Sequence, residues 1–116
     1  MSKTIYINGR FLLQQLSGVQ RFAFEMSKKL SKKDNVNIIL LTPAFSSIKK
    51  CYNYDFNIKR IGFNRSHLWE QVDLLLFLKS NNNPLLINFS NSCPILYSNQ
   101  ISTMHDLSIY ENKNWF

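Results

Sequence analysis

Apolar positions recur along this chain with two alternating periods, and the alternation marks out its elements. Thr4-Ile5-Tyr6-Ile7-Asn8 is a short apolar run closed by Gly9, the length of a buried strand. Val19, Phe22, Ala23, Met26 and Leu30 then fall on one face of a helix from about Gly18 to Lys33, with Arg21, Glu25, Lys28 and Lys32 on the other. Ser17 suits its N-cap and Lys32-Lys33 its negative end. Residues 36–42 are almost wholly apolar, the pattern of a parallel strand covered on both faces, and Pro43 stops them. Residues 44–56 fit no single period; 57–61 read as a short edge strand before Gly62.

A second helix is predicted over 66–79, apolar almost all round and relieved by Glu70, Gln71 and Asp73, with Asn81-Asn82-Asn83-Pro84 ending it. Strands follow at 85–89 and 101–104, separated by the polar loop Ser90-Asn91-Ser92-Cys93-Pro94, and residues 109–116 show no clear period. Strands alternating with helices in this way predict an α/β fold with a doubly wound, mostly parallel, Rossmann-like sheet. Ligands of such sheets bind outside the carboxyl ends of the strands. That rule gathers the loop from Gly9 to Gly18, the loop from Phe89 to Pro94, and His105-Asp106 into one place.

Composition narrows the classes of function. The 116 residues are 45% hydrophobic, enough for one folded domain with a core, and small for a complete two-substrate enzyme. A formal charge of +7 invites nucleic acid or an anionic membrane. The basic residues are nevertheless scattered in pairs without aromatic interleaving, and the Asn-, Lys- and Ile-rich usage fits an AT-rich coding sequence equally well. We expect no nucleic-acid partner. Cys51 and Cys93 stand far apart without a pairing motif and read as reduced thiols of a cytoplasmic protein. No signal segment opens the chain and no apolar run would span a bilayer. Two sequons, at Asn64 and Asn88, carry little meaning without a secretion signal.

Two places could carry chemistry. At Ser17-Gly18 the first helical N–H groups have no intrahelical acceptor, and glycine lets a ligand approach the backbone. Arg21 in the first turn opposes the helix dipole at a cost of about 0.3–1 kcal/mol, a sign that a bound phosphate would reverse. A solvent-facing Arg21 beside a simple Ser17 cap is the alternative. Neither a Walker loop nor a dinucleotide fingerprint is present. His105-Asp106, at the end of the last strand, could bond a substrate hydroxyl; a capping Asp and a core His are the alternative. His67 reads as structural. No cluster has metal-ligand spacing, so no metal and no cofactor are expected.

Gly9-Arg10-Phe11-Leu12, followed by Leu16-Ser17-Gly18-Val19-Gln20-Arg21-Phe22-Ala23-Phe24-Glu25, resembles the amino-terminal signature of retaining, family-4 glycosyltransferases with the GT-B fold. Gln100-Ile101-Ser102-Thr103-Met104-His105-Asp106-Leu107 is similar to a second segment of that family, and Asn114-Trp115-Phe116 to the stretch after it. The resemblance implies a transferase that moves a sugar from a nucleotide-sugar, its co-substrate, to a glycan or lipid-linked acceptor in polysaccharide biosynthesis. It implies Gly18, Val19, Gln20 and Arg21 at the donor diphosphate, His105 and Asp106 as the catalytic pair where donor sugar and acceptor meet, and Gly9, Arg10 and Asn91 in the acceptor cleft. In this family a carboxyl-terminal domain holds most of the donor and completes the cleft. The expectation is therefore that residues 1–116 form a truncated acceptor-side domain, inactive alone, with the donor domain as an implied partner. A sheet cut short should leave sticky surface on the second helix and self-associate. Contact with the inner face of the membrane, through Lys28 and Lys32, is a further expectation. A non-catalytic α/β module binding a nucleotide or a protein is the competing reading.

Overall fold

A computed structural model of the chain describes residues 3–44, 47–64, 66–89 and 92–103. Among these residues, five parallel strands form one sheet: β1 (Lys3–Asn8), β2 (Val36–Pro43), β3 (Ile58–Ile61), β4 (Leu86–Asn88) and β5 (Gln100–Ser102). Their spatial order is β3-β2-β1-β4-β5, so the winding reverses between β1 and β4. The expected α/β, Rossmann-like sheet is thus present, parallel throughout.

The apolar runs bury both faces, as their lack of alternation requires. Along β2, Ile38 and Leu40 join one core with Ile7, Phe11, Ala23, Phe24, Tyr52 and Phe56. Leu41 joins the other with Trp69, Leu74, Leu75, Leu78, Leu86 and Tyr97, and Ile39 packs against it. Each fully buried aliphatic side chain contributes about 1.5–3 kcal/mol. The first core is covered by α1 (Gly18–Ser31), shorter by one half-turn than expected.

The second core is covered by a helix over 66–80 built in three pieces. α2 (Ser66–Leu68) and α3 (Leu75–Ser80) flank a π-helical stretch, Trp69–Leu74, a geometry common at functional sites. The Asn run that ends it is structural. Asn82 and Asn83 hold positive φ of 68° and 52°, a region Asn tolerates better than most residues. The Asn83 N–H then returns to the Leu78 carbonyl at 3.0 Å, satisfying a carbonyl that the helix end leaves open. Residues 47–56, within the stretch that fits no single period, pack Tyr52 and Phe56 edge-on to Phe24.

The loop expected from Gly9 to Gly18 is partly a 3-10 helix, Gly9–Leu13. Glycine is required at its start: a Cβ on Gly9 would stand 2.7 Å from the Leu41 carbonyl oxygen. Gly62 is required for its φ of +74°, and a Cβ there would collide with the Asp73 carboxylate.

Candidate functional site

At the carboxyl ends of β1 and β4, where the strand order reverses, the chain buries polar side chains. Asn8 and Asn88 end their strands almost fully enclosed, and Glu70 on the π-helical stretch is 0% exposed. An uncompensated buried carboxylate is costly, and three donors among the described residues meet this one. Asn8 Nδ2 donates to Glu70 Oε2 at 2.7 Å, Ser92 Oγ to the same oxygen at 2.9 Å, and Arg10 Nη1 to Oε1 at 3.5 Å. Asn8 Nδ2 also reaches Asn88 Oδ1 at 3.0 Å, while its own Oδ1 accepts the Arg10 N–H at 3.2 Å and so caps the 3-10 helix. Asn88 passes the network to β5 through Gln100 and Ser102. One connected set of hydrogen bonds therefore ties three strand ends, the second helix and the loop after β4.

Arg10 is the outward end of this network. Its Nη1 also donates to Ser92 Oγ at 3.4 Å, and both residues border a cleft of about 320 Å³ lined by Arg10, Gln14, Ser17, Val19, Gln20, His67 and Ser92. That volume lies at the lower end of ligand pockets, which run from about 300 to 1,000 Å³. The opposite wall is a second chain of polar groups. Ser17 Oγ donates to Gln20 Oε1, and Gln20 Nε2 to Gln14 Oε1 at 2.8 Å. Tyr52 holds the Gln14 backbone from behind, donating its hydroxyl to the Gln14 carbonyl at 2.9 Å. Burial, aided by Cys51 nearby, pushes the Tyr52 phenol up to about 12, so it remains a donor at neutral pH. Of the seven described residues that line it, six have side chains that can hydrogen-bond, which suits a hydroxyl-rich or phosphorylated ligand.

Ser17 occupies the N-cap position of α1, but its side chain makes no capping bond; the hydroxyl is turned to Gln20 instead. The α1 start is thereby left without a side-chain cap. A Cβ on Gly18 would meet nothing within 4 Å, so the fold leaves this position open. Val19 and Gln20 line the cleft; Arg21 is exposed and lies outside the lining. Gly9 is buried against β2, and Arg10 faces the cleft. Asn91, His105 and Asp106 lie outside the described residues.

Two residues gain importance over the sequence reading. His67, expected to be structural, is exposed and lines the cleft. Glu70, taken as polar relief on a helix, is the buried centre of the network. Its spacing did carry a signal: Glu70, Leu74 and Leu78 stand four residues apart, and all three are buried. Among the described residues no group of three or more His, Cys, Asp or Glu could hold a metal ion.

Compared with protein-family models, with curated proteins and with solved structures, the chain matches none.

Proposed function

We propose that this chain is the acceptor-side domain of a retaining GT-B glycosyltransferase of the family-4 type, handling a nucleotide-sugar donor and a glycan or lipid-linked acceptor. One observation carries the reading. The residues that bear the family resemblance, Arg10, Ser17, Val19 and Gln20, converge on one polar cleft at the switch point of a Rossmann-like sheet, where such sheets bind ligands. The open α1 start beside Gly18 offers N–H groups and a positive dipole end to a diphosphate. Arg21, one turn on, is near enough in sequence to add charge when a phosphate arrives.

In the reaction so assigned, the bond between the sugar anomeric carbon and the diphosphate breaks. The acceptor oxygen bonds that carbon, its proton passes to the departing phosphate oxygen, and the nucleoside diphosphate departs with its charge met by helix N–H groups and cations. His105 and Asp106 take the catalytic places by resemblance alone. A second domain, holding most of the nucleotide, closes the cleft.

Saturation-transfer NMR on the full chain with a panel of uridine-, guanosine- and thymidine-diphosphate sugars tests this. At least one should give signal that Gln20→Ala removes. A panel without any signal, or one that Gln20→Ala leaves unchanged, contradicts it.

A further inference from the structure

The two helical layers present different outer surfaces. On α1, Lys28 is engaged twice over, pairing with Glu25 at 3.4 Å and standing 4.7 Å from the centre of the Phe24 ring. On the second helix the outer surface is apolar. Leu68, Val72 and Leu76 succeed one another at four-residue spacing, and Leu76 is 62% exposed. The adjoining loop enlarges this surface. Gln71 Nε2 donates to the Cys93 carbonyl at 2.6 Å and Gln71 Oε1 accepts the Ile95 N–H at 2.8 Å. These bonds fasten the turn after Cys93 to the helix, where Ile95 and Leu96 are 77% and 75% exposed. Five large apolar side chains thus share one side of the molecule, more than scattered surface residues explain.

Among the described residues, the charged groups at the edge of this surface that are not engaged within the fold are cations. Glu70 and Asp73, the two carboxylates of the second helix, are spent within the fold. Glu70 is enclosed, and Asp73 accepts the N–H groups of Phe63 and Asn64 and the Asn64 side-chain amide, each at 2.8 Å. Lys79 follows Leu76 by three residues, one helical turn on. The Lys59 ammonium stands 5.3 Å from the centre of the ring of Phe77, the neighbour of Leu76. An apolar surface with cations at its margin, the acids of its helix already engaged within the fold, complements an anionic one. A second copy would instead set +7 against +7.

We propose that this face is a docking surface for an anionic lipid bilayer. Leu68, Val72, Leu76, Ile95 and Leu96 enter the headgroup boundary, while Lys59 and Lys79 meet lipid phosphates. The contact lies on the side opposite α1, away from Lys28 and Lys32. It rests on the exposed face alone and stands apart from the glycosyltransferase reading.

Co-sedimentation of the full chain with vesicles tests it, using phosphatidylcholine alone and phosphatidylcholine mixed with phosphatidylglycerol. The chain should sediment with the mixed vesicles, less with the neutral ones, and should be released by salt. Leu76→Asp with Leu96→Asp, both at exposed positions, should abolish binding while circular dichroism stays unchanged. Lys79→Gln should weaken it about fivefold. Failure to sediment with mixed vesicles overturns the proposal, as does undiminished binding by the double variant. So does a concentration-dependent dimer on sizing chromatography that the double variant abolishes while vesicles remain unbound.

Discussion

Arg10 and Glu70 form an ion pair in which one partner is enclosed and the other opens to a cleft. The pair is asymmetric in consequence. Removing Arg10 leaves a buried carboxylate with two neutral donors, and Arg10→Met should cost about 3 kcal/mol or more in denaturant unfolding. A cost below about 0.5 kcal/mol would mean that the carboxylate does not need the guanidinium. Asp73 is a different case. Burial raises its carboxyl pKa, and the bonds from Asn64 and Phe63 outweigh burial, so the group sits below its ordinary 3.8. Because the folded value is the lower one, its stabilisation is complete above 3.8 and fades as pH falls through the lowered value. Asp73→Asn should therefore be less stable than the parent at neutral pH, and the two stabilities should converge in acid. Parallel curves down to the acid limit would refute this. Gly62 faces the same carboxylate at positive φ, and Gly62→Ala should lower stability by about 1–3 kcal/mol in thermal or urea unfolding; an unchanged midpoint would show that the turn yields freely.

At the scale of elements, strands and helices followed from periodicity because the inner strand β2 is buried on both faces and each helix on one, while the edge strands β3 and β5 are short and partly exposed. The junctions were harder to read. The 3-10 helix after β1 depends on Asn8 accepting the Arg10 N–H and on Gly9 fitting under Leu41, both contacts dependent on the local turn and on a distant strand. The π-helical stretch is equally silent in a 3.6-residue pattern, yet it carries Glu70 inward. The Asn81-Asn82-Asn83 run could pass for codon bias, but two of its members hold left-handed backbone that ends the helix. Asn82→Gly should then be neutral or slightly stabilising, whereas Asn82→Val should cost about 1–2 kcal/mol. Equal stabilities for the two variants would show that the run is interchangeable.

Across the whole molecule, the switch between β1 and β4 brings residues 8, 10, 70, 88 and 92 together from three separate stretches of chain. The strand order that makes this possible rests on which strands pair, a long-range property that local pattern does not encode. The helix-start half of the cleft was legible, since Ser17, Val19 and Gln20 are close in sequence. The strand-end half was legible only as loops converging at one edge, and Glu70 and His67 were missed because helix residues contribute to it from across the sheet. The most direct test of the cleft as a nucleotide-sugar site is an amide-resolved NMR titration of the full chain with the nucleotide-sugar that gives the strongest saturation transfer. Saturable shifts should concentrate at Ser17, Gly18, Val19 and Gln20 and extend to Ser92 and His67. Shifts confined to other surfaces, or none at saturating ligand, would contradict that assignment.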